Sequence, residues 1–115
     1  MSNVGQALAE DLLVSLNMRR NSVKVLLYMA IREYATSDEL EKALNIGQPS
    51  VSTAIKDISD KGWLNVELIH TETKGRPKHR YSLSKEFSEI VKDMEVMLED
   101  FLKRIDGGLE YLKSL

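Results

Sequence analysis

The sequence predicts a mainly α-helical protein with one small β-hairpin. Apolar residues recur at the three- and four-residue spacing of amphipathic helices over most of the chain. Only at residues 64–69 do apolar and polar residues alternate, as in a strand. A loop with glycine and proline at residues 73–78 separates this predicted strand from a second short strand. With 115 residues, of which 43% are hydrophobic, the chain is long and apolar enough for one core.

Three helices are expected in the first part of the chain. The first spans residues 4–17, where leucines recur at helical spacing. The second starts after Asn21 or Ser22, either of which can cap it. It has a broad apolar face that suits the central helix of a small core, formed by Val23, Leu26, Leu27, Ala30, Ile31 and Tyr34. The third starts at Ser37, whose hydroxyl can accept from the first free amides, and ends at Gly47, where glycine permits a turn.

A fourth helix is predicted from Gln48 to Lys61. Pro49 favours its start, because proline fits the first turn of a helix, and Gly62 ends it. One side of this helix is apolar and spaced for burial, with Val51, Ala54, Ile55 and Ile58. The remaining positions are polar and mostly small, among them Gln48, Ser50, Ser52, Thr53 and Lys56.

The hairpin and a long last helix complete the predicted order. We expect strands at 64–69 and 80–83, with Trp63 covering the core. The last helix follows Ser84 and runs to about Ile105, where Asp106-Gly107-Gly108 interrupts it. Two short helices joined by a turn and followed by a hairpin form a winged helix-turn-helix, here a three-helix core plus a wing. We divide the chain into a winged-helix domain, residues 1–84, and a C-terminal helix, residues 85–115.

Composition argues against several other classes of protein. The chain has no cysteine, which excludes disulfides, thiolate metal sites and thiol catalysis. Neither His70 nor His79 stands with carboxylates at metal-ligand spacing, and no nucleotide-binding glycine pattern occurs. We therefore expect that the protein is not an enzyme and that it binds no cofactor and no metal. No apolar run approaches the roughly 20 residues that span a bilayer, and no signal peptide is visible. We expect a cytoplasmic protein without a membrane partner.

The net charge of −2 is unevenly distributed. Residues 48–84 carry +2, whereas residues 1–47 carry −1 and residues 85–115 carry −3. The positive charge is concentrated in residues 74–80, KGRPKHR, which contain no acid and project from the predicted hairpin. Such a run is compatible with a solvated loop, but beside a helix-turn-helix it favours contact with DNA: the arginine suits a minor groove and the lysines suit phosphates.

Two segments resemble the winged-helix transcriptional regulators of bacteria and archaea, especially the MarR-like and TrmB-like groups. They are residues 37–64, SDELEKALNIGQPSVSTAIKDISDKGWL, and residues 74–83, KGRPKHRYSL. The resemblance implies that the fourth helix enters the major groove of double-stranded DNA and that Arg76 is the wing-tip arginine. A small-molecule effector is possible but not indicated. The predicted DNA-binding residues are Ser37, Gln48, Pro49, Ser50, Ser52, Thr53, Lys56, Lys74, Arg76, Lys78 and Arg80.

A dimer is expected from the last helix. Six apolar residues step by four and three in the manner of a heptad seam: Phe87, Val91, Met94, Leu98, Phe101 and Ile105. Packing of this seam against a second copy, joined by the helix at residues 4–17, would place two copies of the fourth helix, the recognition helix, about 34 Å apart on DNA. Packing on the chain's own first helix is the alternative. The predicted function is a homodimeric, sequence-specific regulator, and the rival is a winged-helix module for protein–protein contact in a transcription or assembly complex.

Overall fold

The computed structural model describes residues 3–69 and 78–115. Within them the elements are α1 (Asn3–Ser15), α2 (Arg20–Ala30), β1 (Ala35–Thr36), α3 (Ser37–Leu44), α4 (Gln48–Asp60), β2 (Leu64–Ile69), β3 (Lys78–Leu83) and α5 (Phe87–Lys113). The chain divides into two compact units, Met1–Lys85 and Glu86–Leu115, each with its own internal contacts. The predicted helices and hairpin are all present.

A three-stranded antiparallel sheet stands beside the helices of the first unit. The strand order is β1-β3-β2, and β2 pairs with β3 over six residues, from Leu64 opposite Leu83 to Ile69 opposite Lys78. β1 pairs Ala35 with Tyr81 on the other side of β3. This two-residue strand was not predicted, because a strand so short has no alternation to detect. β3 also begins two residues earlier than predicted.

The core of the first unit forms around α2. Val23, Val25, Leu26 and Met29 of this helix are buried, and so is Trp63, as predicted. Leu40, Val51, Ala54 and Ile58 complete this cluster of buried apolar side chains on α3 and α4. The predicted apolar face of the second helix was too long. Ile31 is 80% exposed and Tyr34 is 42% exposed, because α2 ends at Ala30 and both residues lie beyond it.

The starts of two helices differ from the prediction. The N-cap of α2 is Arg19, so Asn21 and Ser22 lie within the first turn instead of capping it. The N-cap of α3 is Thr36, whose hydroxyl accepts a hydrogen bond from the Glu39 amide at 3.2 Å, whereas Ser37 is the first helical residue. In each case the residue that ends the preceding extended stretch takes the cap position.

The turn between α3 and α4 is made by asparagine. Asn45 has φ 54° and ends α3 in the left-handed conformation that asparagine tolerates better than most residues. Gly47, predicted to supply this turn, has an ordinary φ of −81° and is the N-cap of α4. Position 62 does require glycine, since this residue follows α4 with φ 79°, which other residues rarely adopt.

The second unit is one helix without interruption. α5 runs for 27 residues, about 40 Å at 1.5 Å per residue, so the predicted break at Asp106-Gly107-Gly108 was wrong. Two glycines cost a helix only about 2 kcal/mol, too little to break one that continues on both sides in good helix formers. Among the described residues no helix has both the length and the apolar composition needed to cross a membrane.

Candidate nucleic-acid interface

The core fixes the orientation of α4. Val51, Ala54 and Ile58 are 1%, 1% and 0% exposed, so one side of the helix is anchored along about two turns. The other side is open to solvent. Of the predicted contact residues on this helix, Ser50 is half-buried, and the others are exposed: Gln48, Pro49, Ser52, Thr53 and Lys56. The structure therefore brings these six residues to the accessible part of a single rigid helix.

The polar groups on this face are held only by weak local contacts. Thr53 Oγ1 donates to the Pro49 carbonyl at 3.0 Å, and Gln48 Nε2 donates to Ser52 Oγ at 3.4 Å. Lys56 Nζ lies 3.9 Å from a carboxylate oxygen of Asp60, and both side chains are largely exposed. Exposed pairs of this kind contribute little to stability, so each group can be exchanged for an outside partner at small cost. Short side chains also allow the helix backbone to approach a base edge closely.

Ser37 occupies a different position from the residues on α4. It is half-buried at the start of α3, and its hydroxyl lies 3.3 Å from the hydroxyl of buried Tyr81 on β3. This contact joins α3 to the sheet. A contact of Ser37 with DNA stays a prediction, and it would require its hydroxyl to exchange this contact for a phosphate or base.

The predicted wing is described only in part. Lys74 and Arg76 lie outside the described residues. Lys78 and Arg80 lie on β3, and each is next to an acid: Lys78 Nζ is 3.3 Å from Asp38 Oδ2, and Arg80 donates to Glu67 Oε2 at 2.8 Å.

Arg80 has a second neighbour besides its acid. Its guanidinium stacks on the ring of Tyr34 with 3.9 Å between the guanidinium carbon and the ring centre. The hydrogen bond to Glu67 raises the pKa of Arg80 above its already high normal value. The run of cations identified in the sequence is thus partly neutralised by acids 13 and 40 residues away along the chain, which only the fold brings close.

A cleft that the sequence analysis missed lies between the start of α2 and the first turns of α4. It has a volume of roughly 330 Å³, and we call it the α2–α4 cleft; its lining is Arg19, Arg20, Asn21, Ser22, Pro49, Ser50, Thr53 and Ala54. Arg20 is 3.9 Å from Glu10 and 3.6 Å from Asp11 of α1. Arg19 is exposed and pairs with no acid in the described part of the chain. The adjacent arginines Arg19 and Arg20 are the feature of the sequence that could have indicated this cleft, but only the fold places them beside α4.

Asp57 joins α4 to the start of α2. Burial alone would raise the pKa of its carboxyl, but the nearby Ser22 hydroxyl, the Lys61 ammonium and the Arg19 backbone amide outweigh that effect and lower the pKa. Lys61 Nζ lies 3.3 Å from the carboxylate, and both side chains are mostly buried, at 22% and 15% exposed. A negative charge at a helix start is favourable, so Asp57 fixes the distance between the two helices that line the cleft.

Within residues 3–69 and 78–115, no group of three or more histidine, aspartate or glutamate side chains is arranged to hold a metal ion. The described residues offer an anchored helix with a small polar face and two arginines, Arg19 and Arg20, beside its first turns. Such an arrangement can contact a polyanion through hydrogen bonds and charge.

Solved structures share this arrangement of helices and strands. A possible transcriptional regulator from Methanosarcina mazei Go1 superposes with a TM-score of 0.71 at 17% identity, over 89% of this chain and 86% of that chain. A protein from the thermoacidophilic archaeon Sulfolobus tokodaii gives 0.63 at 22% identity, over 83% and 92%. S. aureus MepR, solved in complex with DNA, gives 0.58 at 15% identity, over 92% and 86%. No family model matches the sequence, and no curated protein is similar to it. The chain therefore has the predicted winged helix-turn-helix fold.

Proposed function

We propose that this chain is a DNA-binding transcriptional regulator whose α4 enters the major groove. The observation that carries the proposal is the two-sided character of α4. Val51, Ala54 and Ile58 hold it against the core, and its accessible side presents small polar groups. Glutamine, serine and threonine can hydrogen-bond base edges or phosphates. The fold is also that of the regulators described above, one of which was solved bound to DNA.

The wing supplies the second part of the proposal. Lys74 and Arg76 are proposed to contact phosphates or a minor groove next to the site of α4. Lys78 and Arg80 are proposed to join them when DNA phosphates compete with Asp38 and Glu67. The chain's negative net charge does not oppose this, since phosphate binding depends on local charge.

A homodimer is proposed as the active form, with a revised seam. Of the six residues predicted from the sequence, Met94 is already buried in the single chain, at 9% exposed, and Phe87, Leu98 and Phe101 are half-buried. Continuation of α5 to Lys113 adds a second stripe of exposed apolar residues, with the same heptad spacing, nearer the C-terminal end of the helix. Its members are Leu102, Ile105, Leu109 and Leu112, between 41% and 63% exposed. We propose that this stripe packs against a second copy, which would present two α4 helices to an inverted repeat.

Binding of the full chain to duplex DNA tests the proposal. Fluorescence anisotropy with random duplexes, and then with duplexes selected from a random pool, should show salt-dependent binding and a preference for the selected sequence. Leucine at Ser52 and Thr53 should abolish that preference, because bulky side chains hold the helix away from base edges. Ser88→Leu is the matched control, since Ser88 is an exposed helical serine on α5. Absent or salt-independent binding would contradict the proposal and favour a module for protein–protein contact.

A further inference from the structure

The α2–α4 cleft has features that the proposed contacts of α4 and the wing do not use. Ser50 and Thr53 belong both to its lining and to the polar side of α4. Any group bound in the cleft would therefore lie within the area that DNA covers if α4 enters the major groove. The opposite wall is formed by the first turn of α2, with Arg19 and Arg20.

The first turns of two helices line this cleft. Their N-cap residues, Arg19 and Gly47, provide no side-chain cap to the free amides of those turns. At the start of α2 the Asp57 carboxylate takes the place of a cap, because the Arg19 backbone amide and the buried Ser22 hydroxyl both interact with it. The groups of the cleft lining that favour an outside anion are therefore its arginine side chains.

The charge of the cleft comes mainly from Arg19. Arg20 shares its charge with Glu10 and Asp11, and the Asp57 carboxylate below the cleft is matched by Lys61. Arg19 forms no ion pair with the described residues and is exposed. Of the two arginines in the cleft lining, Arg19 is therefore the one whose charge remains available to an outside anion.

We propose that the Arg19 side chain binds a phosphate of the DNA backbone at the α2–α4 cleft. This inference rests on the proposed function, because it assumes that α4 lies in a major groove. The phosphates that border the groove then pass beside the helix, and a cation at the start of a neighbouring helix can hold one of them. Such a contact fixes the position of α4 along the groove and adds no sequence preference of its own.

The test is the salt dependence of DNA binding by Arg19→Ala in the full chain, measured by anisotropy on a selected duplex. Loss of one phosphate contact should reduce the slope of log K against log salt by about 0.9 per protomer. Relative to wild type, the binding defect should then be larger at 50 mM than at 200 mM salt by about 3.5-fold for one protomer and about 12-fold for the proposed dimer. Lys24→Ala is the matched control, because Lys24 is on the same helix but outside the cleft lining. It should keep more of the wild-type slope than Arg19→Ala.

A duplex with single neutral methylphosphonates locates the contact. One such substitution should weaken the wild type but cause no further loss in Arg19→Ala, because both changes remove the same ion pair. If wild-type binding weakens with salt and Arg19→Ala shows the same slope of log K against log salt, the inference is overturned while the proposed function stands. If wild type fails to bind any duplex, the proposed function fails first. If inorganic phosphate binds the cleft and Arg19→Ala leaves DNA binding unchanged, the site serves a small anion, and the inference is again overturned.

Discussion

Glu67 limits how much of the charge of Arg80 is available to DNA. The two side chains are joined by a 2.8 Å hydrogen bond, and Tyr34 supports the guanidinium from one face at 3.9 Å. Both partners are partly exposed, at 31% and 58%, so a phosphate can reach them. Glu67→Gln removes the competing carboxylate and keeps the shape of the side chain. The ring of Tyr34 should continue to hold Arg80 in place.

The expected gain follows from one guanidinium becoming free. If Arg80 then binds one phosphate, the slope of log K against log salt should become more negative by about 0.9 per protomer. Between 200 mM and 50 mM salt the variant should gain more affinity than wild type does, by about 3.5-fold for one protomer and about 12-fold for the proposed dimer. Sequence preference should not change, because phosphate contacts carry no base information.

Anisotropy titrations at several salt concentrations measure this effect on random and selected duplexes. Glu99→Gln serves as the control, because it makes the same charge change at an exposed position on α5, far along the chain from β3. A slope for Glu67→Gln equal to that of Glu99→Gln would refute the reasoning. It would mean that Arg80 is a structural part of the sheet and not a latent DNA contact.

Three further predictions concern stability and assembly. Because the pKa of Asp57 is lowered in the folded chain, its carboxylate stabilises the fold above the unfolded pKa, and this stabilisation is lost as the pH falls below about 4. Urea titrations should show that Asp57→Asn lowers the free energy of unfolding by roughly 1–2 kcal/mol at pH 7. The variant should also lose less of its unfolding free energy on acidification than wild type does. Sedimentation should show that Leu109→Asp with Leu112→Asp shifts a dimer to monomer, and an unchanged dimer would move the interface elsewhere. Gly107→Ala should stabilise α5 by about 1 kcal/mol, since alanine favours a helix and an added Cβ meets no atom within 4 Å. Thermal melts followed by circular dichroism measure this change, and a destabilised helix would contradict the prediction.

The elements with strong periodicity were predictable from the sequence. α4 lies almost where the pattern placed it, because burial of one face imposes a helical period. β2 also lies where its alternation placed it, although Val66 and Leu68 are 54% and 47% exposed, so burial within this chain does not explain that alternation. The fold class follows from the order of such elements. Helix ends were less predictable, since Asn45 and Gly47 are both able to make the turn and only the observed backbone decides between them.

The candidate interface was less predictable than the fold. Residues on α4 share one helix, so their spacing alone places them together. Arg19 lies 34 residues before Thr53, and no local pattern indicates that the two line one cleft. The same holds for Lys78 with Asp38 and Arg80 with Glu67, whose pairing depends on the register of β3 and on the packing of α3. Charge runs in a sequence show where cations are, but not which acids the fold brings near them.

Pairing of cations with acids also bears on specificity. A protein whose wing cations were all free would bind any duplex tightly, and its preference for one sequence would have to compete with that background. If the proposed function holds, Asp38 and Glu67 lower this background, because each phosphate must replace a carboxylate already in place. The proposed base contacts of α4 would then make up a larger share of the total binding free energy. On this argument, neutralising both acids should raise affinity for random DNA more than for the selected sequence, so the ratio of the two affinities should fall.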